Sequence, residues 1–168
     1  MSSGSAHIVL SVSGSESRTA VHLVRTCGSA EAVLAASPEE LVVRGELKEK
    51  TARRLISRID LKRAQEEQRF VERYGIRLLA YGTADYPDSL SCCEDAPLLL
   101  YVKGDARFDF SNPHMIAVVG TRRMTAEGKA NCARFIARLA EYHPAAAVVV
   151  GLACGVDGQA DPCARTDG

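Results

Sequence analysis

Apolar positions recur with two different periods along the chain, and the change between them divides it. Over residues 17–61, Ala20, Val21 and Val24 fall three and four apart, the spacing of one helical face. Gly28 stands where such a helix would stop, since glycine takes the left-handed conformation of a C-terminal cap without strain, and Ser29 restarts a helix through Leu34. Ser37-Pro38-Glu39-Glu40 reads as a capping box, with proline at the first helical position, where its missing N–H costs nothing. A longer helix is predicted over 47–74, with Ala52, Leu55, Ile56 and Ile59 inward and Gly75 as its stop. Ahead of all this, residues 1–15 are rich in Ser and Gly and are expected to be flexible, with at most a turn or short strand at 8–12.

From Gly75 onward the apolar residues gather into short runs. Residues 76–81 and 98–102 read as strands, with Tyr86-Pro87 and Ala96-Pro97 breaking the chain between them. The runs 115–119 and 145–150 lack alternation, the mark of parallel strands buried on both faces. Between them, Cys132, Phe135, Ile136 and Leu139 share one face of a helix over 125–142. Strand, helix and strand, each strand closed by a glycine (Gly120, Gly151), make a βαβ unit. The predicted class is α/β: a flexible N-terminus (1–15), a small all-α domain (16–74), then a domain built on a parallel sheet (75–168).

Ligands of such sheets sit beyond the carboxyl ends of the strands. There, a helix that starts just after a strand aims unpaired N–H groups and the positive end of its dipole at the turn. That geometry favours a phosphate. In the first loop Gly120 lets the backbone approach, Thr121 adds a hydroxyl, and Arg122 a forked charge-assisted donor. Arg123 and Lys129 assist electrostatically. In the second loop Gly151 and Gly155 keep the backbone close, while Asp157 would orient a donor, cap the next helix, or bind a base edge or sugar hydroxyl.

Charge narrows the reading. Lys and Arg number 21 and Asp and Glu 21, so any polyanion must be held by a local patch. Between Gly120 and Arg138 five basic residues face one acid, Glu127, although Arg134 and Arg138 read as a solvated face. The same reading applies to Arg53, Arg54, Arg58, Lys62, Arg63, Arg69 and Arg73, offset by Glu66, Glu67 and Glu72. A dinucleotide fingerprint fails because Thr121, Arg122 and Arg123 follow Gly120, and a phosphate-binding P-loop fails at Arg123 and Ala130. No serine lies in a G-x-S-x-G elbow. Six cysteines (Cys27, Cys92, Cys93, Cys132, Cys154, Cys163) form no C-x-x-C pair, and four histidines lack ligand spacing, so free thiols and no metal are expected. No run approaches the roughly 18 to 20 apolar residues of a membrane span. The expectation is a cytoplasmic, non-enzymatic anion binder without a cofactor.

Further residues carry a family resemblance. Asp85-Tyr86-Pro87 with Leu90, Pro97 with Leu100-Tyr101-Val102-Lys103-Gly104, Val119-Gly120-Thr121-Arg122 with Thr125 and Gly128, and Gly151-Leu152-Ala153 with Gly155-Val156-Asp157 and Ala160 occur in an order and spacing that resemble the DNA-processing protein A (DprA, or Smf) family of bacterial recombination mediators. The resemblance implies a sterile-alpha-motif-like (SAM-like) helical domain and an extended Rossmann-like domain that grips the phosphates of single-stranded DNA. It further implies a RecA-type recombinase as partner in natural transformation, and a homodimer in the full-length family. The family's glycine-serine-arginine turn falls on Gly120, Thr121 and Arg122. Glu127 stands where the family usually has an aromatic residue, and Asp161 where it has histidine. The family domain continues past the point matching Gly168, so the chain is expected to be a fragment or a truncated reading frame, with the Rossmann-like sheet incomplete. Two alternatives stand beside this: a Rossmann-like binder of, or enzyme for, a small phosphorylated nucleotide, and an inactive truncated remnant.

Overall fold

The computed structural model describes residues 3–105, 108–110, 114–121 and 125–151, and divides the chain into two compact units, Met1–Ser111 and Asn112–Gly168. The first holds helices α1 (Ser3–Val12), α2 (Ser17–Cys27), α3 (Ala30–Ala35), α4 (Pro38–Arg44), α5 (Glu49–Ser57) and α6 (Leu61–Arg73). Strand β1 (Arg77–Ala80), the single turn α7 (Asp88–Ser91) and strand β2 (Leu99–Val102) complete it.

The N-terminus expected to be flexible is a helix at the centre of this unit. Ala6, His7, Ile8, Val9 and Leu10 of α1 are all buried, because α1 is enclosed between α3, α6, β1 and β2. A helix covered on every side shows no amphipathic period, so its pattern does not announce it. One cluster joins Leu10 to Leu23, Val33, Leu41, Leu55 and Leu98, and another joins Ile8 and Val9 to Ala64, Ala80 and Leu99. His7 Nε2 lies 2.9 Å from the Tyr81 carbonyl oxygen, tying α1 to the end of β1.

The helix predicted over 47–74 is two helices. The chain breaks at residues 58–60, where the Asp60 carboxylate accepts the Arg63 N–H at 3.0 Å and caps α6. The other caps lie where the sequence places them. Gly28 is left-handed at φ 95°, Ser29 accepts the Ala32 N–H, and Ser37 and Glu40 close their capping box. Strands β1 and β2 pair antiparallel, Arg77 opposite Val102 and Ala80 opposite Leu99. Their connection is pinned by Tyr86, whose hydroxyl donates to the Pro97 carbonyl at 2.7 Å. Because this ribbon packs on α1, the compact helical unit includes a β-ribbon and extends to Ser111.

In the second unit, β3 (Met115–Ala117) and β4 (Ala147–Val149) pair parallel, and α8 (Ala126–Tyr142) connects them. This is the βαβ unit the strand spacing predicts. Cys132 and Ile136 of α8 pack on Val118, Val148 and Val150, and Leu139 is buried on the same helical face. Two expectations change here. Phe135 is half exposed, and among the described residues the sheet is covered on one face only: Ala117 and Val149 are exposed, as is Val119 just after β3.

Candidate nucleic-acid interface

The parallel pairing decides where the two loops go. Met115 lies opposite Ala147, Ile116 opposite Val148 and Ala117 opposite Val149. One step further, the Val118 N–H donates to the Val149 carbonyl at 2.9 Å. Both strands therefore run out at the same end of the sheet, so Gly120 and Gly151 begin neighbouring loops. Gly120, Thr121 and Gly151 are exposed. Among the predicted site residues, Lys129 is also described, exposed on the fourth position of α8. Arg122, Arg123, Gly155 and Asp157 lie outside the described residues, as do Cys154 and Cys163.

The helix that follows the first loop starts at a cap that spacing alone did not single out. Thr125 is extended at φ −73° and ψ 161°, and its Oγ1 accepts the Gly128 N–H at 3.0 Å. The signal was present as threonine three residues ahead of a helical glycine. This bond uses one of the four free donors of the first turn and leaves the dipole directed at the loop. Glu127 occupies that same turn and is exposed. A carboxylate is stabilised there for the reason a phosphate would be, so it competes with an incoming anion rather than attracting one.

Farther along α8, the Arg134 guanidinium donates to Asn131 Oδ1 and Arg138 is exposed, in keeping with a solvated face. Cys27, Cys92, Cys93 and Cys132 are free thiols. Among the described residues no cluster of His, Cys, Asp or Glu is arranged to hold a metal, and no helix is long and apolar enough to cross a membrane. The arrangement offers exposed backbone at two adjoining turns, hydroxyls at Thr121 and Thr125, and a lysine one turn into the helix. Those are the components of an anion cradle.

The sequence is similar to known proteins. The family model described as DNA recombination-mediator protein A matches residues 77–167, more than half of the chain. The match starts at the first residue of β1 and so takes in both the β-ribbon and the βαβ unit. Two curated relatives from Mycobacterium tuberculosis, strains CDC 1551 / Oshkosh and ATCC 25618 / H37Rv, each bear the name putative DNA processing protein DprA. Each is 34% identical over 149 residues, covering 82% of this chain and 36% of the relative. The chain thus spans little more than a third of the length of these relatives.

Proposed function

Because the chain belongs to the DNA recombination-mediator protein A family, we propose that it binds single-stranded DNA through the phosphates, at the loops that leave β3 and β4. The observation that supports this most is the parallel register, which starts the Gly120-Thr121 loop and the Gly151 loop at one end of the sheet. In this reading Gly120, Thr121 and Arg122 clasp the backbone, and Gly151, Gly155 and Asp157 shape the opposite wall. Arg123 and Lys129 add attraction, and binding rather than turnover is the task. The βαβ unit belongs to a Rossmann-like domain and the helices to a SAM-like one. The biological setting is recombination in the cytoplasm, with a RecA-type recombinase as recipient of the DNA and a homodimer as the assembled form.

Fluorescence anisotropy with a labelled single-stranded oligonucleotide tests the clasp. Affinity should fall steeply with salt, because bound phosphates release counterions. Arg122→Ala should weaken binding by about tenfold, the effect of removing one charge-assisted bidentate donor. Unchanged affinity in that variant would remove Arg122 from the site. A mononucleotide that displaced the oligonucleotide at equal concentration would replace the strand with a small nucleotide as ligand.

A further inference from the structure

Two cavities of the helical unit each hold two arginines, and their charge balance differs. The larger, about 580 Å³, holds Arg18, His22 and Arg25 against Glu46 and Glu94. Arg18 is already paired with Glu94 at 3.4 Å, and the His22 ring is bonded to the Gly45 carbonyl oxygen. That cavity is electrically balanced and does not select an anion. The smaller, about 250 Å³, is lined by Ser13, Ser15, Thr19, Thr51, Arg54 and Arg58, with Glu16 as its one carboxylate and Leu55 as its one large apolar side chain.

Arg54 and Arg58 stand one helical turn apart, and among the described residues neither side chain has an ion pair. The contrast with Arg53 is direct, since its guanidinium meets Glu49 at 2.8 Å and Glu39 at 3.5 Å. Arg58 Nη1 lies 3.8 Å from where a Cβ on Gly14 would be, so its guanidinium hangs over a glycine held at φ +70°. The surrounding sequence reinforces the sign. Between residues 44 and 63 there are eight Lys or Arg against Glu46, Glu49 and Asp60, in a chain that is neutral overall. Two planar cationic forks beside the hydroxyls of Thr19 and Thr51 match the oxygens of a phosphate group. The lining has no aromatic ring on which a base would stack.

We infer that this cavity takes a backbone phosphate of the single strand, giving the helical unit its own hold on DNA apart from the loops after β3 and β4. The inference rests on the DNA-binding reading above and extends it to a second place on the chain.

The test uses the full 168-residue chain and a labelled oligothymidylate, comparing Arg54→Ala/Arg58→Ala with Arg69→Ala/Arg73→Ala, which removes equal charge from α6. The cavity pair should weaken binding by about tenfold and flatten the log affinity–log salt slope by about 0.7 for each phosphate no longer neutralised. Arg54→Lys/Arg58→Lys should recover only part of the affinity, because lysine keeps the charge but not the fork, and the α6 pair should stay within about twofold of the parent. Equal losses in the cavity and α6 pairs would overturn the cavity as a site. So would an intact cavity pair alongside an Arg122→Ala variant that has lost affinity, and in that case the loop clasp survives. A parent chain that binds no oligonucleotide would overturn both readings.

Discussion

The two units distribute their side chains in opposite ways. In the first, α1 is enclosed by helices and a β-ribbon, and five successive residues, Ala6 to Leu10, are buried. In the second, α8 covers one face of a two-stranded sheet, while Val119 is 76% and Val149 47% exposed. Apolar enclosure stabilises the first, and solvent exposure at Gly120, Thr121 and Gly151 characterises the second. A buried backbone satisfies its own hydrogen bonds, whereas a loop exposed at strand ends is accessible to a ligand. The family match begins at β1 and covers the ribbon of the first unit and the βαβ unit of the second.

The largest expected effect tests that contrast at its centre. Leu10 is fully buried, and Leu10→Ala should cost about 2 to 5 kcal/mol, the transfer term plus the cavity left behind. Denaturant unfolding followed by hydrogen exchange in α2 and α6 would measure it. A loss below about 1 kcal/mol would mean that α1 does not organise the unit.

Tyr86 gives an intermediate effect. Tyr86→Phe should cost about 1 kcal/mol by leaving the Pro97 carbonyl without its donor. Burial, helped by Tyr81 and Cys93, pushes the Tyr86 phenol up to about 12 from its usual 10.0. A raised acid pKa means that the folded state keeps a proton the unfolded state releases. The stabilisation from that proton is therefore complete below pH 10 and lost as pH rises from 10 to about 12. The parent should lose stability over that window, and the Phe variant should lose less. Parallel alkaline melts of the two proteins would contradict the assignment.

Thr125→Ala should have the smallest effect, roughly 0.5 to 1 kcal/mol, through the lost cap of α8. Amide exchange should accelerate in the first turn of α8 while α1 and α2 keep their protection. Equal acceleration in both units would show that they unfold as one body.

Local chemistry was the most legible part of the sequence. Gly28, Ser29 and the Ser37–Glu40 box act through neighbours three or four residues away, so their roles are visible in a short window. The parallel pairing of β3 with β4 was equally readable, because glycine-ended apolar runs separated by one helix allow few arrangements. Enclosure was not readable. Nothing near Ile8 signals that α6 and β2 will cover it, and the break at Asp60 depends on a cap that competes with an otherwise continuous helical pattern. Phe135 shares a face with Cys132 on a helical wheel but sits at its margin, where tertiary packing decides exposure. At the candidate interface the sequence places strand ends at Gly120 and Gly151, whereas β3 stops at Ala117 and β4 at Val149, a few residues earlier. The pairing of Arg53 with Glu39 and Glu49, which leaves Arg54 and Arg58 to their cavity, depends on how α4 and α5 pack.

The bond from His7 to Tyr81 spans 74 positions of the chain, and that separation bears on biosynthesis. Helix α1 has some partners that are translated long after it, since α6, β1 and β2 all follow it by more than 40 residues. Its apolar side chains must wait uncovered while those partners are translated, and long-range closures of this kind form slowly. Synthesis past β2 is thus the step that lets Ile8 and Val9 be covered, closing one opportunity for the nascent chain to aggregate.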